Sequence, residues 1–229
     1  MICSAYMVHS LHDFVDLTPE QQEIIGIFES DQALCDTFYL TGGTLLKALG
    51  IVPRISNDLD FFTFPTVDGR VFMLQMQRIH DLLKKTFGET AIMTTDRGFI
   101  HHPSSTIVDI VADSNKNIDE FVVFGNLCIS ALKDSAASKA SALCSRDEIK
   151  DYIDIAFLTK KNEWFLNDLE KFAEEKFGLG TITEEKLLTE LLAKKASFVV
   201  PLHIFLRNAE ENSKFVEHQI EYLIEHTSL

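Results

Sequence analysis

A chain of 229 residues, 46% hydrophobic and 24% charged, can bury a substantial core and is too apolar for a disordered segment. Its net charge of −14 excludes a protein that grips nucleic acid through a globally basic surface, and no dense Lys/Arg run supplies a local one. No apolar stretch reaches the roughly 18 residues of a membrane span, and MICSAYMVHSLHDFVDL lacks the pattern of a secretory leader. Cys3, Cys35, Cys128 and Cys144 are scattered without C-x-x-C spacing, which predicts reduced thiols, a weak case for zinc, and a cytoplasmic protein with no membrane partner.

The first predicted element is a helix in DLTPEQQEIIGIFES, with Thr18 as N-cap, Pro19 in its first turn and Gln21 as capping-box partner. CDTFYLTGG predicts a short strand stopped by glycines, followed by a helix over 44–49 with Gly50 as its stop. DLDFFTF reads as a strand closed by Pro65. Phe72, Met76, Ile79, Leu83 and Phe87 recur at helical spacing and predict an amphipathic helix over 71–87. AIMTT, STIVDIVAD and EFVVFGNLCIS predict further strands, with His101 and His102 in a loop.

Beyond Ser130 the pattern turns helical, over 132–144, 146–160, 164–176, 183–197 and 208–227, with Ser145 and Glu148 as a capping box. These elements predict an α+β protein: a mixed-sheet core over 1–128 and a helical bundle over 129–229.

The chemistry concentrates in TGGTLLKALGIVPRISNDLDFF, residues 41–62. Alternate residues of a strand share a face, so Asp58 and Asp60 project together while Leu59 and Phe61 turn toward a core. Two adjacent carboxylates repel, and a hard divalent cation relieves the repulsion; Mg²⁺ suits a site where phosphates complete its shell. A solvated strand face is the commoner explanation of an isolated Asp-x-Asp. Asp109, between Val108 and Ile110 on another predicted strand, either adds a third metal carboxylate or is a polar residue paired with a cation. Asp113 reads as a turn residue. The Gly42-Gly43-Thr44 turn offers backbone amides and a hydroxyl to anionic oxygens, or is simply a strand-to-helix turn. Ser56 is a further phosphate contact on the first of these readings, and Arg54 either orients the acidic loop or meets phosphate.

In the second half, Ile149, Tyr152, Ile153 and Ala156 predict a buried stripe, with Lys150, Asp151 and Asp154 on the opposite, solvated face. Lys139 alone reads as a surface lysine.

GGT followed by RISNDLDFF resembles the R-x-S-x-D-h-D-h signature of the AbiEii family of nucleotidyltransferases, whose catalytic core is similar to that of the polymerase-β superfamily. SALKDSAASKASALCSRDEIKDYIDIAFL resembles the family's second signature, and together the blocks cover roughly 38–160. The resemblance implies that Gly42, Gly43 and Thr44 form the nucleotide-phosphate turn and that Ser56 contacts the triphosphate. It implies Asp58 and Asp60 as metal ligands, Lys139 as phosphate-binding lysine, and Asp151 or Asp154 as the last acidic residue, on a helix face that walls a cleft across from the metal site rather than a solvated one; Asp109 matches the superfamily's third carboxylate.

The implied reaction is Mg²⁺- or Mn²⁺-dependent transfer of a nucleoside monophosphate from an NTP to an acceptor hydroxyl. RNA such as tRNA, or a protein, is the implied acceptor, and the setting is a type IV toxin–antitoxin system with an antitoxin partner. Two alternatives stay open: an antibiotic-type transferase with a small-molecule acceptor, and a nucleotide-binding partner module without turnover.

Overall fold

The computed structural model describes residues 14–88, 91–93, 97–101, 106–197 and 202–227. Cys3, Thr94, Thr95, His102 and Ser105, which enter the sequence reading, lie outside them. The described residues fall into two compact units. The first takes in the chain up to Gly50, then 56–115 and 120–130; the second takes 51–55, 116–119 and 131 onward, so no single cut in the sequence separates them.

In the first unit, α1 (Pro19–Ser30) begins as the sequence predicts: the Gln21 amide donates to the Thr18 hydroxyl and the Thr18 amide to the Gln21 side chain, both at 3.1 Å. A short α2 (Gln32–Cys35) leads into β1 (Phe38–Thr41), and α3 (Gly42–Ala48) follows at once. Then come β2 (Asp58–Thr63), α4 (Gly69–Phe87), β3 (Ala91–Met93), β4 (Arg97–His101), β5 (Ile107–Val111), β6 (Val122–Phe124) and β7 (Leu127–Ile129).

The strands form one mixed sheet in the order β3-β4-β5-β2-β1-β7-β6. β2 runs antiparallel to β1 and parallel to β5, while β1 runs parallel to β7. His101, expected in a loop, pairs with Ile107 as the last residue of β4, because that strand extends along the whole of β5.

One face of the sheet carries the core. Leu59 and Phe61 of β2, Phe38 and Leu40 of β1, and Val108 and Ile110 of β5 pack with Ile24, Ile25 and Phe28 of α1 and with Phe72, Met76, Ile79 and Leu83 of α4. Phe28 stacks on Phe61 with ring centroids 3.6 Å apart. Burial of these side chains drives the unit's folding at about 25 cal/mol per Å² of apolar surface removed from water. Because side chains alternate along a strand, it also sends Asp58, Asp60 and Asp109 to the other face.

The second unit is helical: α5 (Leu132–Ser145), α6 (Ile149–Asn162), α7 (Leu166–Phe177), α8 (Glu184–Ser197), a 3₁₀ turn at Leu202–Ile204, and α9 (Ala209–Glu225). The small-residue surface of α5 (Ala136, Ala137, Ala140) is buried, as are Ile153 and Ala156 of α6 and Val216, Ile220 and Leu223 of α9. The expected Ser145–Glu148 capping box does not form. The good helix formers of α5 carry it through Ser145, whose hydroxyl donates to the Ala142 carbonyl at 3.4 Å, and α6 starts three residues later than its expected N-terminus. Among the described residues no helix is long and apolar enough to cross a membrane.

Candidate active site

In the first unit the acidic face is assembled by strand register. Parallel pairing places Asp60 directly opposite Asp109, and Asp58 lies two residues back on the same face. Neighbouring strands are about 4.8 Å apart, so the Asp60 and Asp109 side chains rise side by side. Asp109 is buried and Asp58 and Asp60 half-buried.

On the other side of β2, antiparallel pairing sets Asp60 opposite Thr41, the residue before the glycines. Gly42 adopts φ = 80°, a conformation that disfavours any side chain, and a Cβ built on it would stand 1.9 Å from Asp60 Oδ2. The glycine is therefore required twice, by the turn and by the carboxylate that occupies the space above it. The spacing between the glycine pair and the Asp-x-Asp becomes contact across two paired strands.

Thr44 and Ser56 are tied into the protein's own frame. Both are buried. The Thr44 hydroxyl donates to the Asp58 carbonyl and lies 2.9 Å from the Ser56 hydroxyl. One hydroxyl has one proton, and the carbonyl can only accept, so Ser56 is the donor between the two hydroxyls. The Ser56 carbonyl in turn accepts from Lys47 Nζ at 2.9 Å and Gln21 Nε2 at 3.1 Å, and Lys47 also donates to Gln21 Oε1 at 3.2 Å. This network ties the glycine helix to the entrance of β2. Lys47 and the second role of Gln21 escaped the sequence reading; the signal was Lys47 itself, set among the apolar residues Leu45, Leu46, Ala48 and Leu49.

Among the described residues no three His, Cys, Asp or Glu side chains are gathered into a metal cage. The chemistry of the donors nevertheless fits a divalent cation of the Mg²⁺ type. Every candidate ligand is a carboxylate oxygen, and such an ion is commonly held by one or two carboxylates plus substrate phosphates rather than by an all-protein shell.

Asp113 is the expected turn residue: its Oδ1 accepts from the Asn115 amide at 3.0 Å and its Oδ2 from the Tyr39 hydroxyl at 3.1 Å.

The second unit gathers Lys139, Asp151 and Asp154 together, though not on a solvated face. Asp151 and Asp154 are fully buried, which corrects the expectation that they line the exposed side of α6. Arg54 grips Asp154 with two parallel bonds, Nε to Oδ1 at 2.6 Å and Nη2 to Oδ2 at 2.9 Å. Lys139 Nζ lies 2.8 Å from Asp154 and 3.2 Å from Asp151. Arg146 makes a second fork on Asp151, at 2.7 and 3.0 Å.

Burial alone would favour neutral forms, but the opposite charges prevail. Against that desolvation, Lys139 and Arg54 pull the Asp154 carboxyl down to about 2. Burial likewise opposes the charge on Lys139, and Asp154 and Asp151 outweigh it, holding the ammonium protonated above its ordinary range. Periodicity misread α6 because it treats a charged residue as a solvent marker, whereas three cations brought from Arg54, α5 and the α5–α6 connection make burial of the two aspartates tolerable.

Comparison with known proteins shows the family and the fold. A sequence profile described as "Nucleotidyl transferase AbiEii toxin, Type IV TA system" matches residues 27–198. An uncharacterized protein of Aquifex aeolicus (strain VF5) is 32% identical over 166 residues, covering 70% of this chain and 76% of its own length. Among solved structures, JHP933 from Helicobacter pylori aligns with a TM-score of 0.57 at 16% identity, over 92% of this chain and 94% of its own. A second H. pylori chain, provisionally described as a nucleotidyltransferase, aligns with a TM-score of 0.50 at 17% identity, over 91% and 96%. At such identities the structural likeness speaks for the fold alone.

Proposed function

The chain belongs to the AbiEii family of nucleotidyltransferases, and from that premise we propose that it moves a nucleoside monophosphate from an NTP to an acceptor hydroxyl at the acidic face of its sheet. The observation that carries the assignment of the site is the packing of Asp60 against Gly42, opposite Asp109 in the parallel register. It supports reading the glycine turn and the carboxylates as parts of one site.

Asp58, Asp60 and Asp109 would hold the divalent cation, Mg²⁺ or Mn²⁺. When bound, such an ion neutralises triphosphate charge and makes the α-phosphorus a better electrophile. The residues supply positioning. The Gly42-Gly43 turn would offer backbone amides to phosphate oxygens, with the Asp60 carboxylate packed directly against Gly42 to hold the cation those oxygens share. Thr44 and Ser56, bonded to each other and to the Asp58 backbone, keep that turn in register with the carboxylates. The acceptor oxygen attacks the α-phosphorus in line, its bond to phosphorus forming as the bond to the pyrophosphate oxygen breaks. The acceptor proton passes to solvent or to a nearby carboxylate. Catalysis of this kind is orientation plus charge neutralisation. Lys139 is the proposed phosphate cation of the second block; on this reading Asp151 and Asp154 act by orienting its ammonium.

Family membership supports RNA, such as tRNA, as the acceptor class, an antitoxin as protein partner, and a toxin's role in a type IV system. The net charge of −14 favours a second reading, transfer to a small molecule, because an acidic protein repels a polyanionic acceptor. Incubating the protein with each α-³²P-labelled NTP, Mg²⁺ and total tRNA tests the proposal. Label is expected in RNA with the native chain and at least a hundredfold less with Asp58→Ala. Pyrophosphate release without labelled RNA, in the presence of a hydroxylated small molecule, would move the acceptor to the second class; no turnover with any NTP would overturn the proposal.

A further inference from the structure

Five residues of the chain between α3 and β2, 51–55, belong to the helical unit although both flanking elements belong to the sheet. Their attachment is specific. Arg54 pairs with Leu206 as an antiparallel bridge, the Ile55 amide donates to the Phe205 carbonyl at 2.9 Å, and the Arg207 amide donates to the Pro53 carbonyl at 2.9 Å. The Arg54 side chain, 2% exposed, adds the two-pronged bond to Asp154 and donates through Nη1 to the Ile55 carbonyl at 3.1 Å. Two residues further on, the Ser56 carbonyl is held by Lys47 and Gln21, and four residues on stands Asp58. Ile55, between the two inward anchors, is left 51% exposed. An apolar side chain in water is the cost of keeping Arg54 and Ser56 both turned inward on an extended stretch.

We propose that Arg54 is a positioning residue for nucleotidyl transfer: its fork on Asp154 fixes the starting point of the strand that carries Asp58 and Asp60. This rests on the reading of that acidic face as the transfer site. A guanidinium is suited to the task, since its planar fork fixes direction as well as distance, whereas a lysine supplies only a point charge on a flexible stem. Arg54 is distinct from the phosphate-binding groups: its Nε and Nη2 are spent on Asp154 and its Nη1 on the chain itself. Its loss should therefore displace carboxylates rather than weaken the hold on NTP, and misplacement by about 1 Å can cost a hundredfold in rate.

The test compares Arg54→Lys with Lys176→Met. Lys176 forms another buried pair of the helical unit, 2.8 Å from Asp134, and serves as the control for lost stability. Hydrogen exchange followed by mass spectrometry reads the backbone directly and needs no substrate. In Arg54→Lys the amides of 55–60 should exchange at least tenfold faster while those of β7 do not change, and Lys176→Met should leave 55–60 at the native rate. In transfer from α-³²P-NTP to total tRNA, kcat of Arg54→Lys should fall at least tenfold with KM for NTP within threefold, and Lys176→Met should stay within twofold of native in both. Should Arg54→Lys fail to fold, Asp154→Asn, which keeps the shape of the acceptor and loses its charge, takes its place with the same expected exchange pattern.

Native exchange at 55–60, or an equal loss of rate in Lys176→Met, overturns the positioning role. Absence of transfer by the native chain overturns the functional reading instead, and the exchange arm still decides whether Arg54 holds the strand.

Discussion

In the sheet unit, Asp58 and Asp60 stand half-buried on a strand whose other face is core, and Asp109 lies across the register from Asp60. In the helical unit, Asp151 and Asp154 are fully buried and embraced by Arg54, Lys139 and Arg146. On the proposed reading the same side chain serves two purposes, and for Asp58 and Asp60 access to solvent separates them from Asp151 and Asp154. A carboxylate left near water can exchange its partners for a metal-bound substrate, while one sealed among cations cannot be parted from them without a large cost.

The contrast is sharpest when an aspartate is removed from each set. Asp60→Ala should lower transfer by roughly a thousandfold, the scale for losing a central electrostatic contact, with little change in the urea midpoint. Asp154→Ala should do the reverse in kind: Arg54 and Lys139 lose their shared anion, and stability should fall by about 3–5 kcal/mol in urea denaturation followed by circular dichroism. Equal loss of stability in the two variants would erase the distinction.

Acid should separate the units too. The Asp154 carboxyl falls from 3.8 to about 2 on folding, so the unfolded chain binds its proton first as pH drops. Its stabilising contribution, about 2 kcal/mol, is complete above pH 4 and is lost as pH falls toward 2. Lys139, whose titration is raised, contributes fully below its ordinary 10.5 and loses that contribution only at higher pH. Urea midpoints at pH 7, 5 and 3 should therefore decline mainly over the last interval, and the decline should shrink in Asp154→Asn.

Gly42→Ala should cost about 1–3 kcal/mol for the left-handed backbone alone, and should depress transfer further by pushing Asp60 aside. Thr44→Val, which removes one hydroxyl from the link between α3 and β2, should cost about 1 kcal/mol in thermal unfolding and have the smallest effect of the set.

Much of this contrast was legible in the sequence on the sheet side and little on the helical side. Strand alternation and the Gly-Gly turn are local patterns, so residues 41–62 disclosed the shared face of Asp58 and Asp60 and a glycine turn before them, while the packing of Asp60 on Gly42 comes from strand pairing. The capping box at Thr18 is equally local and appears as expected. The burial of Asp151 and Asp154 depends on Arg54, 100 residues from Asp154 in the chain, and no periodicity within α6 encodes that. The bonds of the Thr44 and Ser56 hydroxyls were hidden for the same reason: their partners are one another and the Asp58 backbone carbonyl, so they also build the frame of the acidic face. Ser145 misled in the opposite sense, since a local motif was overridden by the helix continuing through it.

The loan of residues 51–55 to the helical unit has a consequence for how such a protein can be rearranged genetically. Recombination at Ser130 looks like a clean exchange of one module for another. It would leave Pro53, Arg54 and Ile55 with the sheet gene while discarding Asp154, Phe205 and Arg207, the residues to which they bond. The halves are therefore poor cassettes, and a workable chimera would have to carry 51–55 across with the new helices.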